Sequence, residues 1–251
     1  VRVWDLATGR LLESLRPPGG EGNEGKIFAA AISPDGRTIA AGGWTKAAEN
    51  FHNVYLFDRA SGTLFQRLTG LPNAILHLAF SPDGRWLVAT LGQNNGIRVY
   101  RTSDYTQVAE DQNYGGQSYG ADFDGTGRLV TTSLDGWVRL YDQSFRLIAK
   151  QKAPGGAQPY GVSFSPDGTR IAVGFDDSTK VNVLSGRDLS LLYSPDTGGV
   201  TNETLSSVAW SADGRRLYAG GSYQVSAVFM IRSWEEGGRG RATDLPAAQN
   251  T

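Results

Sequence analysis

Short apolar runs recur along the chain, each broken by a cluster of turn-forming residues, and none carries the 3.6-residue period of a helix. The stretch Ser118 to Asp142 shows the pattern in its smallest form. Tyr119 to Phe123 predicts a strand. Asp124-Gly125-Thr126-Gly127 predicts a tight turn, because glycine supplies the positive φ that a sharp reversal needs. Leu129 to Thr132 is a second strand, β-branched and apolar. Asp135-Gly136 is a two-residue hairpin signal, and Trp137 to Tyr141 is a third strand that ends on Tyr141-Asp142. A sheet this small cannot bury its own faces, so it must stack on copies of itself.

The rest of the chain supplies those copies. Ser-Pro-Asp-Gly occurs at Ser33, Ser81 and Ser165, Ser211-Ala212-Asp213-Gly214 is a near copy, and the turn at Asp124 fills the same slot. The slots lie 48, 43, 41 and 46 residues apart. Each follows an apolar or aromatic residue (Ile32, Phe80, Phe123, Phe164, Trp210) and leads to an arginine (Arg37, Arg85, Arg128, Arg170, Arg215). A second landmark closes each unit: Trp4-Asp5, Phe57-Asp58, Tyr100-Arg101, Tyr141-Asp142, Leu184-Ser185 and Trp234-Glu235 end strands of the type VRVW. Their spacings are 53, 43, 41, 43 and 50. A short connection and a fourth strand follow, as at Leu64 to Leu68, Thr106 to Ala109, Phe145 to Ala149 and Leu189 to Tyr193. Four strands in roughly 40–45 residues is the period of a propeller blade.

The units resemble WD-repeat β-propellers over nearly the whole chain. Val1-Arg2-Val3-Trp4-Asp5 with Ala7-Thr8-Gly9, and Phe-Ser-Pro-Asp-Gly-Arg at Phe80 to Arg85, carry the resemblance most strongly. The SPDG turns look most like prokaryotic members. One departure stands out: the Gly-His pair that usually opens such a repeat is missing, since the two histidines, His52 and His77, lie outside that slot. The buried hydrogen-bond tetrad of the family is therefore incomplete in every blade, and Ser133, Asp135 and Trp137 come nearest to its remaining members.

The expected fold is all-β, a propeller of four-stranded antiparallel blades with about five blades present. Blades are read at 27–68, 75–109, 118–149, 160–193 and 205–234, with the last two strands of another at 1–15. The blade at 205–234 shows three strands, and 235–251 reads as a polar tail or linker. The first complete blade carries an insertion, Trp44 to Asn53. Two closures fit: Leu11 to Leu15 completes the last blade of a five-bladed ring, or the chain is part of a larger, seven-bladed ring. The second is favoured, since a leftover strand with intact repeat chemistry suggests a cut through a blade. The innermost strands are expected to be small or apolar on both faces.

Composition refines this picture. Of 251 residues 33 are glycine and 10 proline, which suits many turns. The formal net charge is −1, which gives no electrostatic case for nucleic acid or an anionic membrane as partner. No apolar run is long enough for a helical membrane span. Cysteine is absent, which excludes disulfides and thiolate metal sites.

Candidate chemistry is sparse. Asp122-Phe123-Asp124-Gly125-Thr126-Gly127 resembles part of a calcium loop, but it coincides with the turn slot and no bidentate Glu follows. Asp35, Asp83, Asp167 and Asp213 repeat, and turn residues that bond their own backbone explain them better than catalysis does. The glycine-rich stretch 19–25 lacks the lysine of a phosphate loop and reads as a linker between blades. Asn202-Glu203-Thr204 matches the weak glycosylation sequon, and Arg239-Gly240-Arg241 is too short for a nucleic-acid patch. His77 fits a packed or channel-lining residue better than a base. No metal or cofactor is expected.

What remains is a surface. In propellers, the loops that lead into the innermost strand and those between the middle strands open on one face, where partners dock. Phe28, Trp44, His77, Asn95, Tyr119, Tyr160 and Asp177 fall in those positions. Aromatic anchors bring area at low entropy cost, and the Trp44 insertion is the foremost candidate, since long loops carry function. The expectation is a non-catalytic scaffold or sensor that binds a protein or peptide. The resemblance implies that the partner can be an effector domain of the same parent chain, such as a caspase-like peptidase. Two rivals stay open. An enzyme would need axial acid–base groups, for which His77, Asp122 and Asp177 are present, and a propeller could instead bind a small ligand or sugar.

Overall fold

In the computed structural model the described residues are 1–19, 25–45, 51–201 and 203–249. The central part of the glycine-rich stretch (20–24), the tip of the Trp44 insertion (46–50) and Asn202 of the sequon lie outside them. The chain forms two compact units, Val1–Ser118 and Tyr119–Thr251.

The first unit begins with a two-stranded sheet of β1 (Arg2–Trp4) and β2 (Leu11–Ser14). Two four-stranded sheets follow: β3 (Lys26–Ile32), β4 (Thr38–Trp44), β5 (His52–Asp58) and β6 (Leu64–Leu71), then β7 (Ile75–Phe80), β8 (Trp86–Leu91), β9 (Ile97–Arg101) and β10 (Gln107–Asp111). The second unit has three such sheets: β11 (Gly120–Phe123) to β14 (Leu147–Lys152) with β12 (Leu129–Thr132) and β13 (Trp137–Tyr141); β15 (Pro159–Phe164) to β18 (Leu191–Tyr193) with β16 (Arg170–Phe175) and β17 (Val181–Ser185); and β19 (Ser207–Trp210), β20 (Leu217–Val225), β21 (Val228–Trp234) and β22 (Ala242–Gln249). Every pairing is antiparallel and between chain neighbours, the meander of a propeller blade. Five four-stranded blades match the expected fold class.

The last blade differs from the expectation. The supposed tail turns through a short 3-10 segment, Glu236–Gly238, and returns as β22, paired with β21 from Ala242↔Trp234 to Gln249↔Val228. Its polar, Gly/Arg-rich beginning and Pro246 hide the strand in the sequence. Proline is tolerated because β22 is the edge strand, where a missing donor leaves no ladder bond broken on the open side. This also removes the closure in which Leu11 to Leu15 completes the last blade: β22 fills that edge, and β2 pairs with β1.

Burial is also placed differently from the expectation. The first strand of each blade is a sheet edge, and β3 and β19 are only partly covered, with Phe28 and Ile32 54% and 53% exposed. In the first four complete blades the deepest burial falls on the second and third strands, which have a strand on each side. In β4, β8, β12 and β16 nearly every residue is buried. Blades approach so closely that a Cβ on Gly42 would lie 2.8 Å from Ile75 of the next sheet, which is why the glycine is needed there.

The repeated turns behave as their chemistry predicts. Ser33 Oγ donates to Asp35 at 2.6 Å, the Arg37 amide donates to the same carboxylate at 3.0 Å, and the Thr38 amide returns to Ser33 Oγ. Ser81/Asp83 and Ser211/Asp213 repeat this geometry. In the second unit the arginine after the turn also rivets one blade to the next. Arg128 is bound to Asp124, donates to the carbonyls of Gly168 (2.8 Å) and Gly186, and lies over the Phe164 ring at 5.5 Å. Arg170 repeats the device 42 positions later over Trp210, at 4.6 Å from its centroid, with the Gly214 carbonyl as acceptor.

Three blades bury an arginine at the second position of a VRLY-type strand. Arg98, Arg139 and Arg232 are 6%, 1% and 6% exposed. They pair with Glu110 (3.2 Å), Asp135 (2.6 Å) and Asp244 (2.7 Å). A buried guanidinium is tolerated only with a carboxylate and further acceptors, which Arg232 finds in the Gly198 carbonyl.

Candidate partner-binding site

The meander places the start of each first strand beside the turn between the second and third strands. Each residue singled out in the sequence therefore sits at this same end of its own sheet. The two units are taken separately.

In the first unit, Phe28 on β3 is exposed and Trp44 closes β4 at 38% exposure. Trp44 meets His52 edge-on, with centroids 5.3 Å apart. The sequence did not single out His52. Its buried ring accepts the Thr45 amide at Nδ1 (3.2 Å) and so fixes the base of the insertion. His77 is half-buried on β7. Asn95 donates its amide to the Gly92 carbonyl at 2.8 Å, which makes it a staple of its own turn.

In the second unit, Tyr119 and Tyr160 come together. Their rings stack 4.5 Å apart at 19°, each at the leading end of a first strand, β11 and β15. Both are half-buried, and burial pushes both phenols above their ordinary pKa, with Asp176 adding to the rise in each. The carboxylate that faces this pair electrostatically is thus Asp176, next to the predicted Asp177. Asp177 accepts the amides of Ala157 (2.8 Å) and Gln158 (3.0 Å), which locks the turn before β15. Beside it lies a cavity of about 440 Å³ lined by Asp177, Ser178, Thr179, Glu203 and Thr204.

Asp122 departs from the turn aspartates in direction, since its pKa is raised where theirs are lowered. Burial pushes its pKa up to about 6, against the hydrogen bonds it receives from the amides of Phe164 (2.7 Å) and Phe123 (2.9 Å). The side chain ties β11 to β15 and is occupied by backbone donors, which is a structural role. The calcium-like segment also resolves into structure: Asp124 holds Thr126 and Arg128. Among the described residues no group of three or more His, Asp or Glu is placed to hold a metal ion, and no helix is long and apolar enough to cross a membrane. At the opposite end of the last blade an open cavity of about 890 Å³ is lined by Asp213, Arg215, Arg216, Glu235 and Glu236 among others. Its charges are mixed, and Arg216 and Glu235 pair across it at 3.6 Å.

Comparison with known proteins agrees with the repeat. Residues 62–101 and 147–181 match the model of the WD domain, G-beta repeat. A guanine nucleotide-binding protein subunit beta from Zea mays is 29% identical over 210 residues, 77% of this chain and 54% of the relative. The small ribosomal subunit protein RACK1y of Oryza sativa subsp. japonica is 36% identical over 90 residues, 36% of this chain and 23% of the relative. A periodic tryptophan protein 2 homolog of Schizosaccharomyces pombe is 31% identical over 85 residues, 34% of this chain and 9% of the relative. The chain spans about half the length of the subunit-beta relatives it matches, 54% in the maize case. Two segments of the chain thus match the repeat model, and the remaining blades share its four-stranded meander.

Proposed function

We propose that this WD-repeat chain is a non-catalytic scaffold that docks a protein or peptide partner at the leading ends of its blades. The aromatic residues gathered there carry the reading. Phe28 and Trp44 present large apolar surface in the first unit, and Tyr119 and Tyr160 form a stacked pair in the second. Surface aromatics, exposed or half-buried, are what interface anchors are made of. His77, Asn95 and Asp177 complete the end as its framework: Asn95 and Asp177 hold the turns from which the anchors project. The names of the relatives support the same reading. A subunit of a guanine nucleotide-binding protein and a protein of the small ribosomal subunit are both parts of assemblies.

The enzyme reading loses its foremost candidate, since Asp122 is spent on two backbone amides. The blades are read as belonging to a larger propeller. The relatives reported are plant and fission-yeast proteins, so the prokaryotic character rests on the SPDG turns alone. The test is capture of the partner from a native extract with the immobilised chain. Phe28→Ala and Tyr160→Ala are expected to reduce capture at least fivefold, with thermal unfolding unchanged within a few degrees. Undiminished capture by both would overturn the assignment of this end.

A further inference from the structure

Resting on that scaffold reading, we propose that Tyr119, Tyr160 and Asp176 form a subsite for a cationic side chain, a lysine or arginine of an extended basic segment of the partner. Three observations converge. The tyrosine rings are stacked at 4.5 Å and 19°, so they act as one aromatic slab. Such a slab attracts a cation over its outer face through the ring quadrupole, whose negative lobe lies there. Next, the exposed Asp176 follows β16, and its amide donates to the Gln158 carbonyl at 3.0 Å, two residues before Tyr160, which holds it beside the pair. It supplies a full negative charge where the slab supplies only a partial one. The acidic character also continues beside it: a cavity of about 440 Å³ is lined by Asp177, Ser178 and Thr179 of the same loop and by Glu203 and Thr204 from the connection before β19.

Asp177 and Glu203 are already engaged by backbone amides, of Ala157, Gln158 and Gln224. They contribute field more than contact, while Asp176 is the group set for a direct ion pair. Charge complementarity therefore selects a basic peptide. A phosphate backbone is repelled by the same charges even though a nucleobase could stack on tyrosine.

The probe is a capped heptapeptide, Gly-Lys-Gly-Arg-Gly-Lys-Gly, titrated into the 251-residue chain carrying ring-labelled tyrosine, with NMR shifts of the assigned rings as readout. Its counterpart replaces each basic residue by glutamine, and a ten-residue single-stranded oligothymidylate is the third ligand. The basic peptide is expected to move the Tyr119 and Tyr160 signals saturably, and the glutamine peptide and oligonucleotide to leave them in place. Asp176→Asn should weaken binding about threefold to tenfold, and Tyr160→Ala by a similar factor. Tyr160→Phe, which keeps the slab, should bind as the parent does and guards against loss of fold as the cause. Equal response to the glutamine peptide, a stronger response to the oligonucleotide, or no movement of either ring at millimolar peptide overturns the subsite. If the basic peptide fails while partner capture still depends on Phe28 and Tyr160, the subsite falls and the scaffold reading stands. If capture ignores both residues while the peptide moves the rings, the reverse holds.

Discussion

At the residue scale, two aspartates of similar appearance do opposite work. Asp35, exposed in its turn, is held below the ordinary carboxylate range by the Ser33 hydroxyl and the Arg37 amide. Its contribution is present above the unfolded pKa and fades as pH falls. Asp122 has its pKa raised to about 6 by burial, so the folded chain holds a proton that the unfolded chain has released. Between about pH 4 and pH 6 this group therefore lowers stability as pH rises. Asp122→Asn keeps an acceptor for the Phe164 amide and removes the ionisation. Urea unfolding at pH 4 to 7 is expected to show the variant equal to the parent near pH 4. At pH 7 it should be more stable by roughly 1–2 kcal/mol, after allowance for the residue's partial exposure. A constant loss at every pH would mean that the charged carboxylate's two hydrogen bonds outweigh its desolvation.

The same scale shows why parts of the chain were hidden in the sequence. Gly9, Gly62, Tyr105, Phe145 and Leu189 occupy equivalent places before a fourth strand, and all have φ between 54° and 67°. Glycine there is self-explanatory. Tyrosine, phenylalanine and leucine accept the left-handed backbone because the side chain is rewarded by packing: Leu189 is 2% exposed, and Phe145 meets Phe123 edge-on at 6.4 Å. No local rule predicts this, since the reward comes from residues far along the chain.

At the element scale, the blade period, the strand order and the turn chemistry were legible because they are local and repeated. β22 was not, because an edge strand carries neither a strong alternation nor a need for donors, and Pro246 argued against it. The arginines after the turns were visible only as landmarks, and their role as rivets depends on which carbonyl the next blade presents. Arg170→Ala removes a guanidinium from the face of Trp210 and from the Gly214 carbonyl. Chemical denaturation is expected to show a loss of about 1–2 kcal/mol, with Arg170→Lys recovering about half, since an ammonium cannot stack as a plane. Arg37→Ala, on a side chain 85% exposed beside Asp35, should stay within about 0.5 kcal/mol of the parent. Equal losses at both positions would remove the rivet from the account.

At the scale of the molecule, each unit repeats one blade and varies its leading end. The site was half legible. The blade register put Tyr119 and Tyr160 in equivalent positions, and the structure stacks them. The register gave no means of choosing Asp176 over Asp177, because that choice depends on which carboxylate the turn at 155–158 consumes. The central claim is that a partner docks at the leading ends. The most direct measurement places a photo-activatable benzoylphenylalanine at position 28, at position 160 and at position 215, the last on the mixed-charge cavity of the opposite end. After irradiation in a native extract, the account predicts a covalent adduct from position 28 and from position 160, each within its own unit, and none from position 215. An adduct from 215 with none from 28 and 160 would contradict it.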